Sequence, residues 1–208
     1  MSSNKGMIDH DHKYTYVINK LEVNDDVINA WWYQDELFSP EECDDIIAIG
    51  RSRGLNRGNV VGEDGVSTQA TEYRDVGVRG IIPTPEFRWM FDRIGEAVMR
   101  ANNECWQYDI IGMKEGLQFL EYTGGGHYTW HKDIGPGFSS RKLTAIIQLT
   151  DEDDYSGCDV EIEGGIRIGR GRGSVTIFPS YYSHTVHPHT GGNPRNSLAV
   201  WIYGPPLR

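Results

Sequence analysis

The sequence predicts an α+β fold: two helices come first, and an antiparallel double sheet follows, with the helices packed on its outside. Three observations predict it. Helix start signals occur twice before residue 105, a period-two apolar pattern runs from Gln107 onward, and Gly, Pro, Asp and Ser cut that pattern into short runs.

Taken in order, residues 1–13 (MSSNKGMIDHDHK) are polar and without period, and are expected to be a flexible tail whose His10 and His12 are solvated. The adjacent Trp31 and Trp32 are expected in the core. Ser39 is followed by Pro40 and, three residues after itself, by Glu42, which is the pattern of a capping box with proline at the first helical position. Cys43, Ile46, Ile47 and Ile49 recur at helical spacing and Gly54 ends the run, so the first helix is expected over 40–53. Residues 54–80 are glycine-rich and charged, which predicts a long surface loop with one short strand near 73–79 and makes the segment a lid candidate. Thr84 as cap, Pro85 at the first position, and Phe87, Met90, Phe91, Ile94 and Val98 on one face predict a second helix over 85–104. Strands are then expected at 107–112, 116–122, 127–132, 142–149, 158–163, 166–168, 174–178, 183–187 and 195–203. The segment GGIRIGRGRG at 164–173 reads as a glycine-rich hairpin with solvated Arg167, Arg170 and Arg172 rather than as a phosphate site.

With 208 residues the chain is expected to form one domain from 14 to 208, with helical support over about 31–104 and a strand core over about 107–205. Thirty acidic against 20 basic side chains give a net charge of −10, which disfavours a dedicated nucleic-acid or anionic-membrane binder. The three cysteines, Cys43, Cys105 and Cys158, form no CxxC pair, so neither a disulfide framework nor a four-thiolate zinc site is available and a reducing compartment fits. Met1 to Lys20 hold no apolar run and no eighteen apolar residues are consecutive, so no signal peptide or membrane span is expected, and the expected location is cytoplasmic.

The chemistry concentrates in LEYTGGGHYTWHKDIGPG, where His131 and Asp133 lie two apart near the end of a predicted strand and alternation puts both on one face. A neutral imidazole and a carboxylate presented together are two adjacent ligands for a divalent ion, and one further histidine completes a facial triad with open positions, which suits Fe(II). SYYSHTVHPHTGGNPRNSLAVW offers His184, His187 and His189 as the third ligand. His127 and His131 are four apart, as in a zinc helix, but GGGHYTW is a poor helix former.

Between the HxD pair and these histidines lie RKLTAIIQLTD, YSGCDVEIEGG and GRGSVTIFPS, and Arg195 follows His184 by eleven residues before a strand that ends near Trp201. This order of parts, together with WWYQDELFSPEECDDII, resembles the Fe(II)- and 2-oxoglutarate-dependent dioxygenases. Within them it is similar to the prolyl 4-hydroxylase-like, PKHD-type hydroxylases. The resemblance covers most of the chain and departs from the family pattern at Gly157-Cys158 and Arg172-Gly173, neither of which removes a ligand.

For the fold, the resemblance implies a double-stranded β-helix, or jelly-roll, core. For the site, it implies that His131, Asp133 and His184 bind iron, His184 being preferred because it follows FPS at the family's spacing while His187 faces the opposite side of its strand. It implies a bidentate pair between Arg195 and the distal carboxylate of 2-oxoglutarate, a hydroxyl from Tyr122 to the same cosubstrate, a second polar contact from Gln148, and a pocket wall from Trp201. The activity it implies is hydroxylation of an unactivated C–H bond with O2, releasing succinate and CO2. A prolyl residue of a peptide or protein comes first as substrate, a free amino acid or other small molecule second, and ascorbate is a candidate reductant. Nucleic-acid demethylases of related build carry a second arginine that does not follow Arg195-Asn196 here. The non-enzymatic alternative is a metal-binding interaction module on the same fold. The segments 55–80 and Gly135–Arg141 are the expected substrate lids.

Overall fold

The computed structural model describes residues 30–52, 54–61 and 67–206. Strand β1 (Trp32–Gln34) precedes helix α1 (Pro40–Arg51). Short strands β2 (Asn56–Arg57), β3 (Val60–Val61), β4 (Ser67–Thr68), β5 (Arg74–Asp75) and β6 (Gly77–Ile81) lead to helix α2 (Arg88–Cys105). The strand half comprises β7 (Leu117–Tyr122), β8 (His127–His131), β9 (Arg141–Gln148), β10 (Tyr155–Gly157), β11 (Val160–Ile162), β12 (Ile166–Arg167), β13 (Val175–Pro179), β14 (His184–Val186), β15 (His189–Gly192) and β16 (Arg195–Tyr203). A seven-stranded sheet in the order β1-β13-β9-β16-β7-β6-β2 and a five-stranded sheet in the order β12-β11-β14-β8-β5 form the jelly roll. The α+β expectation, with helices outside a double antiparallel sheet, holds.

Period two explains how one sheet serves two cores. Leu117 and Phe119, Leu143, Ala145 and Ile147, and Leu198, Val200 and Ile202 face outward and bury Cys43 and Ile46 of α1 and Met90, Ile94, Ala97, Val98 and Ala101 of α2. Their neighbours Leu120, Tyr122, Ile146 and Ala199 face inward, toward Val160, Ile162 and Val186 of the five-stranded sheet. The register sets Arg195 opposite Tyr122, Ser197 opposite both Leu120 and Gln148, and Trp201 opposite Thr144, so one inward face gathers the polar residues of three strands.

Helix α1 starts as expected: the Ser39 hydroxyl accepts from the Glu42 amide at 3.3 Å while the Glu42 carboxylate accepts from the Ser39 amide at 2.9 Å. At Gly50 the helix approaches the sheet so closely that a Cβ would overlap the buried Phe119 ring. Helix α2 starts later than 85. Residues 85–87 form a turn in which the Phe87 amide bonds the Thr84 carbonyl at 3.0 Å, and Phe87, without a side-chain cap, stands at the N-cap.

Other expectations need correction. Residues 54–80 are not a loop with one strand: β2 and β6 extend the seven-stranded sheet and β5 closes the edge of the five-stranded one. Two-residue strands have no period to read. No strand forms over 107–112, where Gly112 makes an isolated bridge to Tyr203, and β1, β10 and β15 were not expected. Trp32 packs against the helical core and donates to Glu104 at 2.7 Å, whereas Trp31 is 42% exposed. In the 164–173 segment Arg167 and Arg170 pair with Asp159 at 3.3 and 2.7 Å, and Arg172 reaches Asp44 at 2.5 Å, so these charges are satisfied within the protein. The tail expected over 1–13, with His10 and His12, lies outside the described residues. No helix among the described residues is long and apolar enough to cross a membrane.

Candidate metal centre

Antiparallel pairing of β8 with β14 sets His131 directly opposite His184. The pairing then steps irregularly, Val186 falling opposite Tyr128, so β8 carries one extra residue and Tyr128 and His131, three apart, share a face. Strand β8 ends at His131 and Asp133 lies beyond it, anchored by its amide to the Ser180 carbonyl at 3.2 Å and by its carbonyl to Arg141 at 3.1 Å. Ligand atoms of His131, Asp133 and His184 all lie within 4.8 Å of one another, the one such group among the described residues.

The donor chemistry fits a cation. His131 Nδ1 stands 2.8 Å from the Thr129 carbonyl and His184 Nδ1 3.2 Å from that of Tyr182. Carbonyls only accept, so Nδ1 carries a proton in each ring and Nε2 is the nitrogen aimed at the site. The two Nε2 atoms face the Asp133 carboxylate at 3.8 and 3.5 Å, beyond hydrogen-bond reach. Burial, reinforced by His184, pushes the His131 imidazole down to about 3, so it is neutral. Burial opposes the ionised form of Asp133, yet its carboxyl is held below the usual range, with the Thr144 hydroxyl donating to it at 2.7 Å. Two imidazoles and a buried carboxylate on one side of a cavity suit Fe(II), with positions left open.

The cavity inside the jelly roll measures about 40 Å³ and is walled by Tyr122, Tyr128, Trp201, Arg195 and Ser197 beside the three candidate ligands. Arg195 is 1% exposed and is held by a neutral partner, the Gln148 amide oxygen, at 3.2 Å from Nε and 2.9 Å from Nη2. Gln148 stands behind the guanidinium rather than among the cavity walls, while its own amide donates to the Gly169 carbonyl at 3.3 Å. Ser197 Oγ is buried without a partner. A buried guanidinium with no carboxylate partner among the described residues, next to an orphan hydroxyl, fits an anionic molecule. Burial pushes the Tyr122 hydroxyl up to about 12 against the pull of Arg195 and Arg74, so it stays a hydrogen-bond donor.

His187 turns away and pairs with Glu161 at 2.8 Å, His189 bonds the Asn193 carbonyl at 2.9 Å, and His127 lies between the Gly125 and Glu72 carbonyls. Thr144, Tyr128 and Arg141 were not singled out in the sequence. Thr144 shares the inward face of β9 with Gln148, so alternation on the predicted strand could have found it. Tyr128 stacks on His131 with centroids 3.5 Å apart because of the extra residue, which carries no sequence signal. Arg141 lies between the Phe138 and Trp201 rings, at 4.1 and 3.9 Å.

Outward from the cavity a groove of about 490 Å³ opens to solvent between residues 56–59 and 134–138, the two expected lids.

Residues 117–203 match the 2OG-Fe(II) oxygenase superfamily. Solved structures similar to this chain in fold include prolyl hydroxylases. A prolyl-4-hydroxylase from Pseudomonas putida is 18% identical with a TM-score of 0.65, over 84% of this chain and 92% of that one. A Trichoplax adhaerens prolyl hydroxylase, solved with a hypoxia inducible factor peptide fragment, is 16% identical with a TM-score of 0.69, over 85% and 84%. The viral collagen prolyl hydroxylase of Paramecium Bursaria Chlorella virus-1, solved with 2OG, is 17% identical with a TM-score of 0.62, over 85% and 97%. At these identities the likeness is one of fold. No curated protein matches the chain in sequence.

Proposed function

We propose that the protein is an Fe(II)- and 2-oxoglutarate-dependent dioxygenase that hydroxylates an unactivated C–H bond of a prolyl residue in a peptide or protein, releasing succinate and CO2. One observation carries this reading: a convergent His131, Asp133, His184 set shares a cavity with Arg195, a buried guanidinium that lacks a carboxylate partner among the described residues. Three ligands alone would serve many chemistries. A buried cation beside them calls for an anion bound next to the metal.

In this reading His131, Asp133 and His184 hold Fe(II), and since the imidazole of His131 is already neutral and Asp133 ionised, neither proton has to leave for the ion to bind. Arg195 grips the distal carboxylate of 2-oxoglutarate in a bidentate pair, Tyr122 donates its hydroxyl to the same group, and Gln148 holds the guanidinium in line. Trp201 walls the cavity and excludes water. When bound, iron and 2-oxoglutarate supply the activation of O2 that no side chain here provides. Ascorbate is the reductant we assign to keep the iron ferrous. The open groove accommodates an extended peptide, which favours a peptidyl substrate over a small molecule.

Anaerobic titration with Fe(II) and 2-oxoglutarate tests this through the visible metal-to-ligand charge-transfer band. The band is expected in the wild type and in His187→Ala, absent in His184→Ala, and shifted to higher 2-oxoglutarate in Arg195→Ala. A metal-replete wild type without the band would sink the assignment.

A further inference from the structure

The groove has a charge opposite to that of the molecule. In a chain of net charge −10, Arg57, Arg74, Lys132 and Arg141 line it against Glu115 and Asp133. Partners account for some of this. Arg141 is held by Glu115 at 2.5 Å, and Asp133 is turned to the candidate metal centre. Arg57 meets Asp75 at 3.3 Å, but with side chains 60% and 37% exposed this is a pair that exchanges readily for another carboxylate. Arg74 donates to two neutral oxygens, the Asn59 carbonyl at 2.9 Å and the Gln118 amide at 3.3 Å, and lies on the Tyr128 ring, without a carboxylate among the described residues.

Lys132 is the residue left over. It is exposed, it lines the groove, and among the described residues it has no hydrogen-bond or ion-pair partner. It lies between His131 and Asp133 in sequence and lines the groove with Asp133 and Arg57, so a carboxylate paired with it lies on the groove wall next to the candidate metal centre.

We infer that the groove selects a substrate bearing a carboxylate beside the carbon that is hydroxylated, held by Lys132 with Arg57 in support. This deepens the oxygenase reading above and rests on it. An acidic side chain flanking the target residue in a peptide and the α-carboxylate of a free amino acid supply the same chemistry, and the test separates them.

The probes are three peptides identical except for the residues flanking one central proline, which are Glu, Gln or Lys, together with L-proline and L-prolinamide. Each is titrated calorimetrically into the full chain loaded anaerobically with Fe(II) and 2-oxoglutarate, with the charge-transfer band recorded on the same samples. The Glu peptide is expected to bind about tenfold tighter than the Gln peptide, with the Lys peptide weakest. If the free amino acid is the source, proline is preferred over prolinamide by the same margin. Lys132→Gln is expected to erase the preference with the band retained, Lys132→Glu to reverse it, and Arg57→Gln to reduce it. The proposal is overturned by equal behaviour of the three peptides and of proline and prolinamide, absence of binding by all included. It is equally overturned by a preference that survives Lys132→Gln, or by a Lys132→Gln defect confined to 2-oxoglutarate affinity, which would make the charge a guide for the cosubstrate. A wild type without the band overturns the oxygenase reading beneath it, a result the peptide comparison does not mimic.

Discussion

Asp133→Asn is expected to lower Fe(II) affinity by more than about 100-fold, because removing a mere outer-shell partner of a metal ligand already costs about 10–100-fold. The substitution keeps the shape of the side chain and removes its charge. Its effect on the metal-free protein distinguishes a metal ligand from a structural ion pair. Were Asp133 the partner of charged histidines, breaking the pair would cost roughly 3–5 kcal/mol. The imidazoles instead stand 3.8 and 3.5 Å away with Nδ1 protons engaged elsewhere, and His131 is neutral. The metal-free variant is therefore expected to lose much less stability than that, about the worth of the Thr144 hydrogen bond at 2.7 Å. Fe(II) at 100 times its Kd should stabilise the wild type by about 2.7 kcal/mol, roughly 5–10 °C for a chain of this size, and the variant hardly at all. A variant that melts much lower without metal and still gains stability with it would remove Asp133 from the ligand set.

Arg195→Met is expected to weaken 2-oxoglutarate binding by about 2–5 kcal/mol, the range seen when one partner of a buried hydrogen-bonded charge pair is truncated. Fe(II) affinity and the stabilisation by Fe(II) should be unchanged, since Arg195 does not touch the three candidate ligands and is held by Gln148. Arg195→Lys should recover part of the loss, because a lysine restores the charge but not the fork. The measurement is a 2-oxoglutarate titration of the Fe(II)-saturated protein followed by its visible band. A dissociation constant within threefold of the wild type in Arg195→Met would show that the distal carboxylate is anchored elsewhere.

The legibility of this molecule in its sequence follows physical lines. Strand β16 was expected over 195–203 and lies there, because nine residues buried on both faces and bounded by Pro194 and Gly204 leave little choice. Helix α1 was legible through its cap, while α2 starts three residues late because the turn at 85–87 takes the place of a capped first turn. The short strands between α1 and α2 were not legible, since pairs of two residues owe their state to the sheet edges they join and not to local pattern. In the site, His131, Asp133, His184, Tyr122, Arg195 and Trp201 are brought together around one cavity. Gln148 lies one layer back, behind Arg195, a depth that alternation cannot resolve. Tyr128 was missed because the irregular step in β8 alters which residues share a face.

The inward face gathers its parts from two unequal supports. Arg195, Tyr122 and Thr144 stand on long strands whose outer faces are fused to both helices, whereas His131 and His184 stand on five- and three-residue strands of the thinner sheet. Opening of the thin sheet costs less than opening the helical core, so amide exchange should find β8 and β14 loosening before β9 and β16. Such breathing would part His131 from His184 while the pocket around Arg195 persisted, and would let an ion held there leave and return without unfolding.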